Sequence, residues 1–225
     1  MCGICGIIDF GNQIKEKKQF TNIMAEKIFH RGPDDSGVYN DDHVSLGFKR
    51  LSILDVNKGN QPLFNKNKSI VSIFNGEIFN FKELREELIE KGYSFKTNSD
   101  SEIIPYAYEA WGIDFVKKLN GMFAIAIYDK LQKKFYLVRD RVGIKPLYFF
   151  EFNNSLFFSS EINSLIASPI FEKKINFKAV STYLSYRYPT EDEENFFQGI
   201  KRVSIGSFYE IKKNERLKKK IYWKI

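Results

Sequence analysis

The feature that most constrains this chain is its first eight residues, Met1-Cys2-Gly3-Ile4-Cys5-Gly6-Ile7-Ile8. Glycine and short aliphatic residues in an unbroken run suit a buried strand, one that carries the start of the chain into a cleft. A cysteine stands directly behind the initiator, so removal of Met1 puts a thiol and a free α-amine on one residue. The thiolate is the nucleophile, and an α-amine with a pKa near ~8 accepts a proton at neutral pH where a lysine cannot. This is the nucleophile-plus-adjacent-base arrangement in its N-terminal-amine form. The same eight residues also fit an ordinary buried strand with two inert thiols, and the rest of the chain has to decide.

The length, 225 residues, allows one large domain, or one domain and part of a second, with a sizeable core. An apolar content of 43%, with 22 Phe and 12 Tyr, is globular rather than disordered. The net charge of +7 is local: Lys212 to Ile225 carries seven basic residues against one acid, Glu215, which leaves about +1 for everything before it. A near-neutral body argues against binding nucleic acid through a broad positive face. Two cysteines make no disulfide framework, and no cationic segment with a long apolar core marks export. No apolar stretch approaches the ~18 residues of a membrane span, so a reducing cytoplasm is expected. Cys2 and Cys5 form a C-x-x-C, but a metal site needs a second ligand pair and the chain offers only His30 and His43; no metal is expected.

Apolar residues at helical spacing predict an amphipathic helix over about 18–29, ended by the tight loop His30-Arg31-Gly32-Pro33-Asp34-Asp35-Ser36-Gly37. The segment 44–54 alternates as strands do. Ser69 to Phe74 reads as a strand that stops at Asn75-Gly76-Glu77, after which Asn80 is expected to cap a helix over 81–91. Ser99-x-x-Glu102 fits a capping box before a helix reaching about Trp111. Further strands are expected at 122–128 and 135–138, a hairpin at 147–150 and 156–159, helices over 161–167 and 178–186, and strands near Ile200 and Phe208. After Pro189 the acidic run Glu191 to Glu194 and the lysine-rich end read as an inter-domain connector. Strands interleaved with two or three long helices suggest an α+β or layered sandwich.

Seven motifs occur in order: Cys2-Gly3-Ile4; His30 to Gly37; Arg50-Leu51-Ser52-Ile53; Asn75-Gly76-Glu77-Ile78; Ser99-Asp100-Ser101-Glu102; Asn120-Gly121-Met122-Phe123-Ala124; and Arg139 to Tyr148. Together they resemble the glutaminase domain of glutamine-dependent asparagine synthetases, which are class II amidotransferases and N-terminal-nucleophile hydrolases. The resemblance implies an α+β fold, a four-layer α-β-β-α sandwich of two antiparallel sheets flanked by helices. It implies a glutaminase domain over 2–188 and a connector over 189–225 towards a synthetase domain.

Free glutamine presents a carboxylate, an ammonium and an amide, and each needs a partner. Arg50 can meet the carboxylate with a two-pronged charge-assisted hydrogen bond. Asp100 and Glu77 are the candidates for the ammonium, although Asp100 by position equally suits the start of a helix. Asn75 and Gly76 offer a side-chain amide and a backbone N–H, the components of an oxyanion hole; an Asn-Gly hairpin turn is the alternative. The resemblance adds the backbone of Leu51, Ser52, Ile53 and Leu54 as pocket lining. It makes Cys2 the nucleophile, with Asn75 and Gly76 as catalytic donors, and needs no separate histidine.

Phe48, Phe79 and Phe81 stand where the family commonly has His, Tyr and His. No pyrophosphate loop precedes Ile225, so the resemblance implies release of ammonia from L-glutamine without a cofactor in this chain. ATP and Mg2+ are implied only for a synthetase domain or subunit, the expected partner, and a homodimer is a further option. Competing readings are the glutaminase half of an amidotransferase with another acceptor, and a non-catalytic regulatory module of the same fold.

Overall fold

The computed structural model describes residues 1–52, 59–187, 195–213 and 215–224. Its twelve strands form two six-stranded sheets, and every strand pairing between them is antiparallel. The first sheet runs β10 (Lys201–Arg202), β8 (Tyr148–Phe152), β9 (Ser155–Ser159), β1 (Gly3–Ile8), β3 (Val44–Arg50), β2 (Asp35–Asn40). The second runs β12 (Lys218–Ile221), β11 (Ser207–Lys212), β7 (Lys134–Arg139), β6 (Gly121–Asp129), β5 (Ile70–Ile78), β4 (Leu63–Phe64).

Alternation along the strands explains the layers. On β1, Ile4 and Ile8 enter the core between the sheets, while Cys5 and Ile7 enter a second core beneath helices α1 (Lys17–Glu26) and α4 (Ile162–Ile166). On β6, Ala124, Ala126 and Tyr128 face the first sheet, and Phe123, Ile125 and Ile127 pack under α2 (Phe81–Glu90) and α3 (Ile103–Trp111). Successive strand residues point to opposite faces, so strands apolar on both faces require cover on both. The outcome is the expected four-layer sandwich with helices outside each sheet.

Several local expectations are corrected. The strand expected to stop before Asn75 continues to Ile78, with Asn75, Gly76 and Glu77 paired to Ala124, Phe123 and Met122; nine paired positions outweigh the weak strand preference of Asn-Gly-Glu. Asp35 to Gly37 belong to β2, an edge strand, where low strand propensity is tolerated. Asn80 does not cap α2; its side chain bridges to Lys118 O and Asn120 N instead. Ser99 caps a short 3-10 turn, Asp100 to Glu102, ahead of α3. Glu102 turns back to the N–H groups of Lys96 and Thr97, so the capping box is not reciprocal.

The described part of the segment read as a connector is built into both sheets: β10 pairs with β8, and β11 with β7. The acidic run at 191–194 lies outside the described residues. The lysine-rich end forms edge strand β12, its Lys218 paired to Glu215 at 2.5 Å and Lys220 to Glu210 at 3.8 Å. Charge along an exposed edge discourages further strand pairing, which gives the local excess of lysine a structural use. The helix over 178–186 is observed as α5 (Phe177–Tyr186).

Candidate active site

Both sheets contribute to a cavity of about 260 Å³ whose lining includes Cys2, Arg50, Asn75, Gly76, Asp100 and Lys145. The register of β1 against β3 begins with Gly3 opposite Lys49, which brings Arg50 to the end of β1 where Cys2 stands. The Leu51 N–H donates to Cys2 Sγ at 3.4 Å, and the sulfur lies 3.6 Å from Leu51 O. Arg31 braces the terminus: its Nε donates to Cys2 O at 3.0 Å and its Nη1 to Glu161 at 2.8 Å. His30 meets the same Glu161 oxygen at 3.0 Å, which places it in this brace.

The loop after Arg31 supports the next strand. Asp34 receives the Ser52 N–H at 2.7 Å and gives its own N–H to Arg50 O at 3.0 Å. Arg50 is buried, with Nη1 held by Asn60 Oδ1 at 2.7 Å. Leu51 lines the cavity, whereas Ser52 is engaged by Asp34; Ile53 and Leu54 lie outside the described residues.

From the other sheet, Asn75 is 1% exposed, yet its Nδ2 has no hydrogen-bond partner among the described residues. Its neighbour Gly76 lies opposite Phe123, whose N–H and C=O both turn to Asp140. In an antiparallel pair this leaves Gly76 with its own N–H and C=O on the opposite, outer side of β5. On that side the flanking positions are occupied: the Gln61 side chain takes both backbone groups of Phe74, and Asp100 takes the Ile78 N–H at 2.8 Å. Only glycine fits here, because a Cβ would stand 2.1 Å from Met122 O.

Burial raises the Asp100 carboxyl above its ordinary pKa, despite the N–H groups of Ile78 and Ser101, and Glu77 adds to the rise. Burial likewise raises the Cys2 thiol. The Leu51 N–H, the chain's α-amine, Arg50 and Lys145 oppose that rise. The Met1 α-amine is lowered, first by burial and then by Arg31 and Lys145. Cys5 is fully buried three residues on, and its thiol is pushed up to about 12. The two cysteines therefore divide into one thiol facing a polar cavity and one packed beneath α1.

Of the residues singled out from sequence, Cys2, Arg50, Leu51, Asn75, Gly76, Glu77 and Asp100 share this cavity. Sequence reasoning assigned no role to Lys145, Gln61, Arg31 or Glu161. Lys145 and Arg31 lie in quoted motifs, but the partners of these residues are distant in sequence and no local pattern reveals them. No group of three or more His, Cys, Asp or Glu among the described residues is placed to hold a metal ion, and no helix of the described residues is long and apolar enough to cross a membrane.

A face-to-face sandwich of antiparallel sheets that delivers a thiol near the chain's start to a cavity between them is the N-terminal-nucleophile architecture. Within that class, the chain belongs to the glutamine amidotransferase family: the family model described as "Glutamine amidotransferase domain" matches residues 1–223. It is 42% identical over its whole length to glutamine-hydrolysing asparagine synthetase 2 of Bacillus subtilis, of which it covers 31%. It is 40% identical over 74% of its length to asparagine synthetase B of Escherichia coli, of which it covers 30%. The chain thus spans about a third of the length of these curated relatives. Its fold is similar to that of glutamine phosphoribosylpyrophosphate amidotransferase from Bacillus subtilis, with a TM-score of 0.70 at 20% identity over 99% of this chain and 49% of that one.

Proposed function

We propose that the chain, once Met1 is removed, hydrolyses the side-chain amide of L-glutamine to glutamate and ammonia through Cys2. Arg50 binds the substrate carboxylate, and Asp100 with Glu77 binds its ammonium. Cys2 Sγ attacks the amide carbon, and the resulting oxyanion is held by Asn75 Nδ2 and the Gly76 N–H. The C–N bond breaks as the α-amine relays the thiol proton to the leaving nitrogen, which departs as ammonia. Water then attacks the γ-glutamyl thioester, releasing glutamate and restoring the thiol.

The observation that carries this reading is Asn75 Nδ2, a buried donor left without an acceptor in the cavity that Cys2 enters. A buried polar group without a partner costs about 1–3 kcal/mol, and an acceptor that arrives with the substrate accounts for it. The names of the relatives, glutamine-hydrolysing asparagine synthetases, extend the proposal: the ammonia serves the synthesis of asparagine, in a synthetase domain that by the family resemblance uses ATP and Mg2+ on aspartate.

Intact mass and a glutamate-release assay test the first step together. We expect a mature protein lacking Met1, activity abolished in Cys2→Ala with the fold retained, and most activity kept in Cys5→Ala. Equal loss from both substitutions would overturn the assignment of Cys2 as sole nucleophile.

A further inference from the structure

Among the charged side chains that line the cavity, Arg50, Glu77, Asp100 and Lys145, this mechanism leaves Lys145 unused. It lies in the turn between β7 and β8 and is 6% exposed. Its backbone is fully engaged: the N–H goes to Asp140 Oδ2 at 2.9 Å and the C=O accepts from Arg139 Nε at 3.0 Å. Its ammonium differs. Among the described residues no carboxylate comes within ion-pair distance of Nζ and no acceptor meets it. Asp140, the acid nearest in its own turn, spends its carboxylate on the N–H groups of Phe123, Val142, Ile144 and Lys145.

A lysine that borders the cavity with no carboxylate beside its ammonium is stabilised by an anion that forms in that cavity. The other charged groups around the nucleophile are already matched to tasks. Arg31 is tied to Cys2 O and Glu161, and Arg50 is reserved for the substrate carboxylate. Asp34 is held by Ser52, and Glu77 and Asp100 are reserved for the ammonium. The anion that forms at Cys2 Sγ meets the Leu51 N–H at 3.4 Å, and Lys145 is the cation lining the same cavity that the substrate does not claim.

We propose that Lys145 is a positioning residue that supplies the counter-charge for the Cys2 thiolate. This deepens the proposed function and rests on its assignment of Cys2 as nucleophile. With Met1 in place, the same positive charge opposes protonation of the Met1 α-amine, after burial and Arg31; removal of Met1 puts the α-amine on Cys2, in the cavity that Lys145 also lines.

The test is the pH dependence of Cys2 alkylation by iodoacetamide, measured in a Cys5→Ala background with Lys145, Lys145→Met or Lys145→Arg. Removing the charge in Lys145→Met moves the alkylation profile to higher pH and slows the reaction at neutral pH about tenfold, the effect of one unit in thiol pKa. Lys145→Arg, which keeps the charge, retains most of the rate. Glutamine kcat falls with the same pH displacement while KM changes little. An unchanged alkylation profile in Lys145→Met, or an equal displacement in Lys145→Arg, overturns the inference. Should Lys145→Met unfold, Lys145→Gln and the salt dependence of wild-type alkylation give the same decision. Alkylation does not require glutamine turnover, so failure of the glutaminase reading shows separately, as a reactive thiol whose profile Lys145 controls but which releases no glutamate.

Discussion

Two buried polar regions of this molecule look alike in composition and behave in opposite ways. In the turn after β7, Arg139 gives its guanidinium to the carbonyls of Lys145, Val203 and Gly143 at 2.8–3.0 Å. Asp140, wholly buried, accepts four backbone N–H groups. In the cavity nearby, Asn75 Nδ2 has no partner among the described residues, and the Lys145 ammonium meets no carboxylate there. The first region is closed on itself and holds the architecture: it ties β6, the turn and the segment before β11 together. The second is left open, as a surface built for something absent must be. Other buried polar atoms also lack partners among the described residues, Arg31 Nη2 and Ser45 Oγ for instance, but of these atoms Asn75 Nδ2 is the one whose residue lines the cavity.

Substitutions that move the two regions differently sharpen this contrast. The largest effect is expected for Asp140→Ala, which strands four N–H groups and leaves Arg139 without its neighbouring acid. A loss of about 3–5 kcal/mol in urea unfolding is expected, and a loss below about 1 kcal/mol would break the assignment of this turn as scaffold. Asn75→Ala does the reverse, lowering glutamine kcat by about 10²- to 10³-fold while the unfolding midpoint stays within experimental spread. A stability loss without a rate loss would move Asn75 to the scaffold side. Arg50→Ala, with about 1.5–3 kcal/mol of charged hydrogen bonding at stake, raises the glutamine KM roughly 10- to 100-fold in steady-state assays.

The smallest effect concerns Asp100. Its folded pKa is raised above the ordinary 3.8, so the folded state binds this proton more tightly than the unfolded chain does. Ionisation therefore costs stability: the cost is absent well below pH 3.8, grows as pH rises through the raised folded value, and is fully present above it. Asp100→Asn keeps an acceptor for the Ile78 N–H and removes the titration. Urea midpoints taken across acidic pH should show that part of the fall with rising pH disappear in the variant, and identical slopes would refute the burial argument.

Much of the sandwich was legible because its strands carry their own signal. The run Met122 to Tyr128 is apolar at every position, and a strand covered on both faces is the economical reading of it. Cys2, Arg50, Asn75 and Asp100 were singled out in the sequence as partners for the groups of a free amino acid, and the structure brings all four to one cavity. What escaped was set by tertiary pairing. Asn75-Gly76-Glu77 look like a strand's end until nine residues of β6 are laid beside them. The segment 189–225 reads as a connector with strands near Ile200 and Phe208, and which sheet each strand joins depends on β8 and β7 farther back in the chain. Lys145 could not be told from any lysine in a polar turn, since its isolation follows from where Asp140 spends its oxygens. Ile53 and Leu54 remain expectations.

The placement of β1 also has a practical side. It is an interior strand, held by β9 and β3, and Met1 itself lines the cavity. Any purification handle or fusion partner attached ahead of Cys2 would start inside the cavity that the proposed function gives to glutamine, acting as a tethered plug. On the proposed function, a preparation bearing such a leader would be folded and silent, and a protease cut that leaves Cys2 first would switch it on.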